Sequence, residues 1–318
     1  MTRVLLTGAS GFVGSAVQAQ LLSDPQYVVR SVYRQLPQQS SAHLQTFQVP
    51  GIEPSTDWLR PLEGVEVVIH CAARVHVMDE READPLEAFR RVNVRGTLRL
   101  AEQAAQAGVR RFIYLSSIKV NGEGTLPGHA YTADNSPAPL DPYGISKQEA
   151  EQALLLLAAK TQMDVVIIRP VLVYGPGVKA NFRSMMAWLN RGVPLPLGAI
   201  TNKRSLVALD NLVDLVMTCV HHPAAANQVF LVSDDEDLST TELLQRMARA
   251  LGRPARLLPL PAGVLSAVAQ LFGKKAISQR LCGSLQVDIS KTKALLGWTP
   301  TISVNGALEK TAKDFLEH

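Results

Sequence analysis

Leu5-Leu6-Thr7-Gly8-Ala9-Ser10-Gly11-Phe12-Val13-Gly14 joins an apolar run to a helical pattern through a turn that holds three glycines. Glycine in such a turn lets the chain tighten, lets backbone come close to a bound group, and lets the helix lie against the strand. The helix then aims unpaired N–H groups and a partial positive charge at the turn, an arrangement that suits a diphosphate. A turn of purely structural purpose would not need this placement between an N-terminal strand and a helix. The spacing is GxxGxxG, not the GxGxxG of many dinucleotide sites.

Working outward, the same texture continues. Residues 4–6 read as a buried strand and 13–22 as a helix; 27–33 and 65–71 read as strands. Residues 89–108 are helical, 111–116 a strand, 146–161 a long helix and 164–168 another strand. Strand and helix in alternation, with short connections, predict an α/β protein whose parallel sheet is covered on both faces. After Pro170 the chain gains Pro and Gly and the alternation fades, returning only in a helix over 210–221 and a strand over 229–233. We therefore expect a dinucleotide-binding domain over 1–169, with returning segments near 205–234. A smaller interleaved C-terminal substrate lobe is expected over 170–204 and 235–315.

Composition excludes several function classes. The 318 residues carry a net charge of +4 with Lys and Arg scattered, apart from pairs such as Arg110-Arg111 and Lys274-Lys275. No basic stripe marks a nucleic-acid partner. A mild positive balance is compatible with an anionic ligand. The three cysteines, Cys71, Cys219 and Cys282, form neither a zinc pattern nor a CxxC motif, so no metal is expected and the compartment is read as the reducing cytoplasm. Cys71 ends a strand-like run and reads as a packed residue rather than a nucleophile. The first strand begins at once, so no signal peptide is expected. The apolar segment 262–272 falls short of the roughly 20 residues that span a bilayer and reads as a core or interface helix, not a stable membrane insertion.

Two further places carry chemistry. At the end of the second strand, about 20 residues past the glycine turn, an acid commonly grips the adenosine ribose. Here the run is Arg30-Ser31-Val32-Tyr33-Arg34 with no acid. Arg34 suits the extra phosphate of NADP(H) through its forked guanidinium, or is simply a solvated residue at a strand end. The second place is Tyr143-Gly144-Ile145-Ser146-Lys147, which sets a phenol and an ammonium four positions apart on one helix face. An ammonium beside a phenol favours the phenolate and is expected to bring its pKa toward working pH. Upstream, the strand ending in Ser116-Ser117 offers a hydroxyl to the same substrate oxygen.

With these in order, the sequence resembles the extended short-chain dehydrogenase/reductase family, the sugar-nucleotide epimerases, dehydratases and reductases. TGASGFVG, VVIHCAARV, Asn93, LSSIKVNG, PYGISK, RPVLVYGPG and RSLVALDNLVD carry the resemblance over nearly the whole chain. It implies a Rossmann-type doubly wound sheet, a UDP-sugar partner and a homodimer on the helices near 93–108 and 146–161. It implies Ser117, Tyr143 and Lys147 as catalytic residues, with Lys147 also on the nicotinamide ribose. Implied cofactor contacts are Gly8, Ser10, Gly11, Phe12, Val13, Gly14, Tyr33, Arg34, Ile52, Cys71, Ala72, Ala73, Asn93, Pro170 and Val173. Implied substrate contacts are Lys119, Asn181, Leu195, Arg204 and Arg280. Two positions depart from the family pattern: the acid after the third strand is replaced near Gly51-Ile52, and Leu172 stands where epimerases often have asparagine.

Ile118-Lys119 after Ser117 lacks the Asp-Glu pair of the sugar dehydratases, so dehydration is not expected. Arg34 without an acid leans toward NADP(H), with NAD(H) as the other possibility. The wording SSIKVNG and KRSLVALDNLVD looks like bacterial reductases of UDP-4-keto-6-deoxy-N-acetylhexosamine, which serve surface-polysaccharide synthesis. The expectation is thus an NADP(H)-dependent 4-ketoreductase. An NAD-dependent UDP-hexose or UDP-N-acetylhexosamine 4-epimerase is the alternative, and a non-catalytic dinucleotide sensor the remote one.

Overall fold

The structure is a computed structural model and describes residues 1–37, 43–75, 84–126, 128–271, 279 and 281–318. Strand β1 (Thr2–Thr7) leads through the glycine turn into helix α1 (Phe12–Leu22), then β2 (Tyr27–Tyr33) and β3 (Leu44–Gln48). A short α2 (Leu59–Leu62) precedes β4 (Val67–His70). Helix α3 (Pro85–Phe89) runs into a π-helical stretch (Arg90–Gly96) and then α4 (Thr97–Gln106). Strand β5 (Arg111–Leu115), a 3-10 turn (Ile118–Val120), α5 (Pro142–Ala158) and β6 (Asp164–Pro170) follow.

Seven strands form one parallel sheet in the order β3-β2-β1-β4-β5-β6-β9, with β9 (Gln228–Val232) at the far edge. This is the doubly wound α/β fold that the alternation predicted. The strands are apolar on both faces because both are covered. Under one face Val4, Leu6, Ile69, Ile113 and Val166 pack with α1 and with Leu212, Leu215 and Val216 of α7 (Leu209–His221). On the other face Leu5, Val68, Phe112 and Val165 pack with Leu100 and Ala104 of α4 and Ala150 and Leu154 of α5.

A second sheet, β10-β8-β7, is built from β7 (Leu172–Tyr174), β8 (Arg204–Ala208) and β10 (Asp237–Leu238). Around it lies a separate apolar cluster. Helix α6 (Ala180–Asn190) supplies Phe182, Met186 and Leu189; α8 (Thr240–Ala250) supplies Leu244 and Met247; the last helix supplies Val304 and Leu308. A 3-10 turn (Pro223–Ala225) and helices α9 (Ala262–Leu271), α10 (Ser290–Leu296) and α11 (Val304–Glu317) complete the described elements. Among the described residues no helix is long and apolar enough to cross a membrane.

Two sequence expectations change here. Residues 89–108 are not one regular helix, since a π-helical stretch interrupts them and turns Asn93 inward. The long helix starts at Pro142, not 146, because Asp141 caps it: its carboxylate accepts from Gly144 N at 2.6 Å and Pro142 takes the first helical position.

Candidate active site

The carboxyl ends of β1, β4, β5 and β6 lie side by side, since Thr7 pairs with His70, His70 with Tyr114, and Tyr114 with Ile167. The sheet order reverses between β1 and β4, and parallel sheets bind ligands in the crevice beyond such a reversal. Gly8, at φ +76°, packs so tightly on the β4 loop that a Cβ there would sit 2.7 Å from Ala72 N. A Cβ on Gly14 would collide with Gly8 O, so the helix can meet the turn only as glycine. Gly11 caps α1 with no side-chain acceptor, and no acid occupies the first turn. Those N–H groups therefore face the crevice with no internal anion, and the cradle fits a dinucleotide diphosphate.

Three predicted residues converge beside it. Tyr143 and Lys147 share a face of α5, and the Lys147 Nζ lies 5.9 Å from the Tyr143 ring centre and 4.5 Å from that of Tyr114. Lys147 is 2% exposed and donates to Leu115 O at 2.8 Å, tying the helix to the end of β5. Ser117 stands two residues beyond Leu115 and caps the 3-10 turn. Burial pushes Lys147 down to about 8, while the Glu151 carboxylate acts the other way. Burial pushes the Tyr143 phenol up to about 12; the Ser117 hydroxyl, hydrogen-bonding it, opposes that rise. The expectation of a phenol lowered by its lysine is thus corrected: in the protein alone, loss of water around Tyr143 and then the Asp141 carboxylate raise it, and the opposing influence is the Ser117 hydroxyl.

The other predicted residues are placed as follows. Ser10, Gly11, Phe12 and Val13 lie along the turn and the start of α1, partly or fully exposed. Tyr33 donates to Gln18 Oε1 at 2.9 Å, and Arg34 is exposed at the end of β2. Cys71, Ala72 and Ala73 follow β4; burial pushes the Cys71 thiol up to about 12, so it packs rather than reacts. Asn93 accepts from Arg74 N and donates to Arg74 O and Ser146 Oγ, pinning the loop after β4 to α5. Ile52 packs its carbonyl against Gly96, where a Cβ would collide. Pro170 is buried at the end of β6 and Val173 half-buried on β7. Asn181 is exposed on α6, and Arg204 donates to Gly283 O at 3.0 Å. Leu195 is buried within the C-terminal apolar cluster, with its N–H on Arg256 O. Its side chain packs there among apolar residues. Arg280 lies outside the described residues.

Sequence reasoning missed the polar groups beneath this site. Arg169, on β6, forks onto the Glu151 carboxylate, one helical turn past Lys147. Lys119 is expected from the sequence as a substrate contact, but its pairing with both Asp141 and Glu123, which meets its charge within the protein, is not foreseen there. His70 bridges the hydroxyls of Thr7 and Thr97 at 2.7 and 2.9 Å. An apolar run with one charge gives no sign of which distant group will meet it.

Residues 4–233 match the sequence profile of the NAD dependent epimerase/dehydratase family. The chain is 51% identical over 315 residues to a protein from Vibrio cholerae named UDP-glucose 4-epimerase, covering 99% of this chain and 95% of that one. It is 26% identical to an Escherichia coli O157:H7 protein named N-acetyl-alpha-D-glucosaminyl-diphospho-ditrans,octacis-undecaprenol 4-epimerase, covering 97% and 93%. Its fold matches the UDP-glucuronic acid 4-epimerase from Bacillus cereus, solved in complex with NAD, with a TM-score of 0.80 and 22% identity over 99% of each chain. With the profile matched over residues 4–233 and a relative 51% identical over nearly the whole chain, the chain belongs to the NAD dependent epimerase/dehydratase family.

Proposed function

We propose that the protein interconverts the carbon-4 epimers of a UDP-hexose or UDP-N-acetylhexosamine with NAD(H). The observation that carries this is the convergence of Tyr143, Lys147 and Ser117 beside the glycine cradle. The likeness at 51% identity to a protein named UDP-glucose 4-epimerase supports the choice of reaction. This moves away from the reductase expected from Arg34 and from the SSIKVNG and KRSLVALDNLVD wording. A bound nicotinamide supplies the acceptor and donor for hydride at carbon 4. Tyr143 takes the proton of the 4-hydroxyl and returns it, so one residue serves both directions. Ser117 holds the same oxygen, and the Lys147 ammonium grips the cofactor ribose and stabilises the phenolate. Arg204 and Asn181 are assigned to the UDP moiety. The domain boundaries expected from the sequence, and a homodimer through α4 and α5, belong to the same proposal; α5 leaves Leu156 62% exposed.

A second reading is favoured by one observation. The second strand ends in Tyr33-Arg34 with Arg34 exposed and no acid in the run, which suits NADP(H) and reduction of a UDP-4-keto-6-deoxy sugar. One experiment separates the two. The purified protein is denatured and its released dinucleotide identified, then the protein is incubated with UDP-glucose or UDP-N-acetylglucosamine. Retained NAD and formation of the 4-epimer without net redox change are expected. NADPH consumption by a UDP-4-keto-6-deoxy sugar with no epimerisation would replace the first reading by the second.

A further inference from the structure

Four buried polar residues from four segments meet under the active site. Arg169 of β6 donates to Glu151 of α5 through Nε at 2.9 and 3.1 Å and through Nη2 at 2.5 Å. Its remaining arm donates to Asn121 Oδ1 at 3.0 Å, and Ser116 Oγ donates to the same Glu151 carboxylate. All four are at most 4% exposed. Their arrangement along the chain matters more than their number. Two successive turns of α5 hold two successive residues at the end of β5: Lys147 binds Leu115 O, and Glu151 binds the Ser116 hydroxyl. Ser117 is the next residue. On its other side, Asn121 closes the 3-10 turn that Ser117 opens, and Arg169 holds Asn121 in place.

We propose that Glu151 and Arg169 are positioning residues: their buried, forked ion pair sets the Ser117 hydroxyl against the helix face that carries Tyr143 and Lys147. A buried ion pair is a poor device for stability alone, since apolar residues of equal volume commonly serve as well. What it adds is direction. A planar guanidinium with one arm committed to Asn121 and the rest to Glu151 fixes the distance between β6, the Ser117 turn and α5 at once. The Glu151 carboxylate also holds up the Lys147 ammonium against the burial that lowers it. Small misplacements of reacting groups are costly, of order a hundredfold in rate for about 1 Å.

The inference rests on the epimerase reading for its kinetic test, so a second, substrate-free readout accompanies it. Arg169→Lys keeps the charge that neutralises Glu151 but has no fork to reach Asn121 as well. Ser116→Ala removes one hydroxyl and leaves the ion pair intact, so it remains informative if the first variant fails to fold. In folded protein, Arg169→Lys should lower kcat by about tenfold or more and Ser116→Ala by a few-fold, with KM for the UDP-sugar and dinucleotide affinity within about twofold of wild type. A lowered Tm with unchanged kcat in both variants would assign the network to stability alone and overturn the proposal. If wild type turns over no UDP-hexose, the functional reading fails, and positioning is then judged by carbon-13 NMR of tyrosine labelled at Cζ. The Tyr143 signal, identified by its loss in Tyr143→Phe, should move or broaden in the variants while the other five tyrosines stay put; an unmoved Tyr143 signal overturns it.

Discussion

Tyr143 and Lys147 both sit where water is scarce, and their pKa values move in opposite senses for that one reason. The ammonium form of Lys147 prevails below about 8 and is lost above it. The proton-accepting form needs the phenolate and the ammonium together, and between about 8 and about 12 the gain of one offsets the loss of the other. So kcat/KM should climb up to about pH 8 and level off above it, whereas Lys147→Arg, charged throughout, should let it go on climbing. A wild-type profile that keeps climbing well past pH 8 would remove Lys147 from its role. Tyr143→Phe should lower kcat by about a hundredfold or more while dinucleotide affinity changes little, because the phenyl ring still packs edge-on against Phe89 at 6.0 Å. A Phe variant of full activity would sink the assignment of Tyr143. At this scale the sequence was informative about identity and misleading about ionisation. Four-residue spacing on a helix is local, whereas the desolvation of Tyr143 depends on the β-loops and Phe89 that close around it.

At the scale of the element, the glycine turn and α1 act as one unit. Gly14→Ala drives a methyl group into Gly8 O, so the helix must withdraw from the turn that presents its N–H groups. The substitution should cost on the order of 1–3 kcal/mol in stability and weaken dinucleotide binding markedly. Gly263→Ala, at an exposed position of α9 with open space for a Cβ, should stay within about 0.5 kcal/mol of wild type. Urea unfolding and dinucleotide titration of both variants test this, and equal effects would deny the close approach. The turn was legible because its requirement is written in residues a few positions apart. The π-helical stretch over Arg90–Gly96 was not. Its residues carry an ordinary helical pattern, and the irregular turn exists because Asn93 reaches Arg74 and Ser146, 19 and 53 residues away.

For the whole molecule, His70 links stability to pH. Completely buried between Thr7 and Thr97, it is held neutral, its pKa pushed down from 6.5 to about 3 by burial and then by Lys147. The unfolded chain therefore takes up a proton that the folded one refuses between those values. His70 contributes full stability above about pH 6.5 and loses it as pH falls toward 3. Comparing unfolding free energies at pH 7 and pH 4, wild type should lose on the order of 3 kcal/mol more than His70→Asn. Equal losses would mean that other groups set the acid sensitivity. What the sequence determined by itself was the doubly wound sheet, the close glycine turn and the Tyr143–Lys147 face, since periodicity and short spacings act through neighbouring residues. The tertiary structure decided that Leu195 belongs to a core, that Lys119 is already neutralised, and that Glu151 and Arg169 lie beneath the site. Burial and charge pairing depend on which remote segments shut out water, and that is settled only when the sheet has closed.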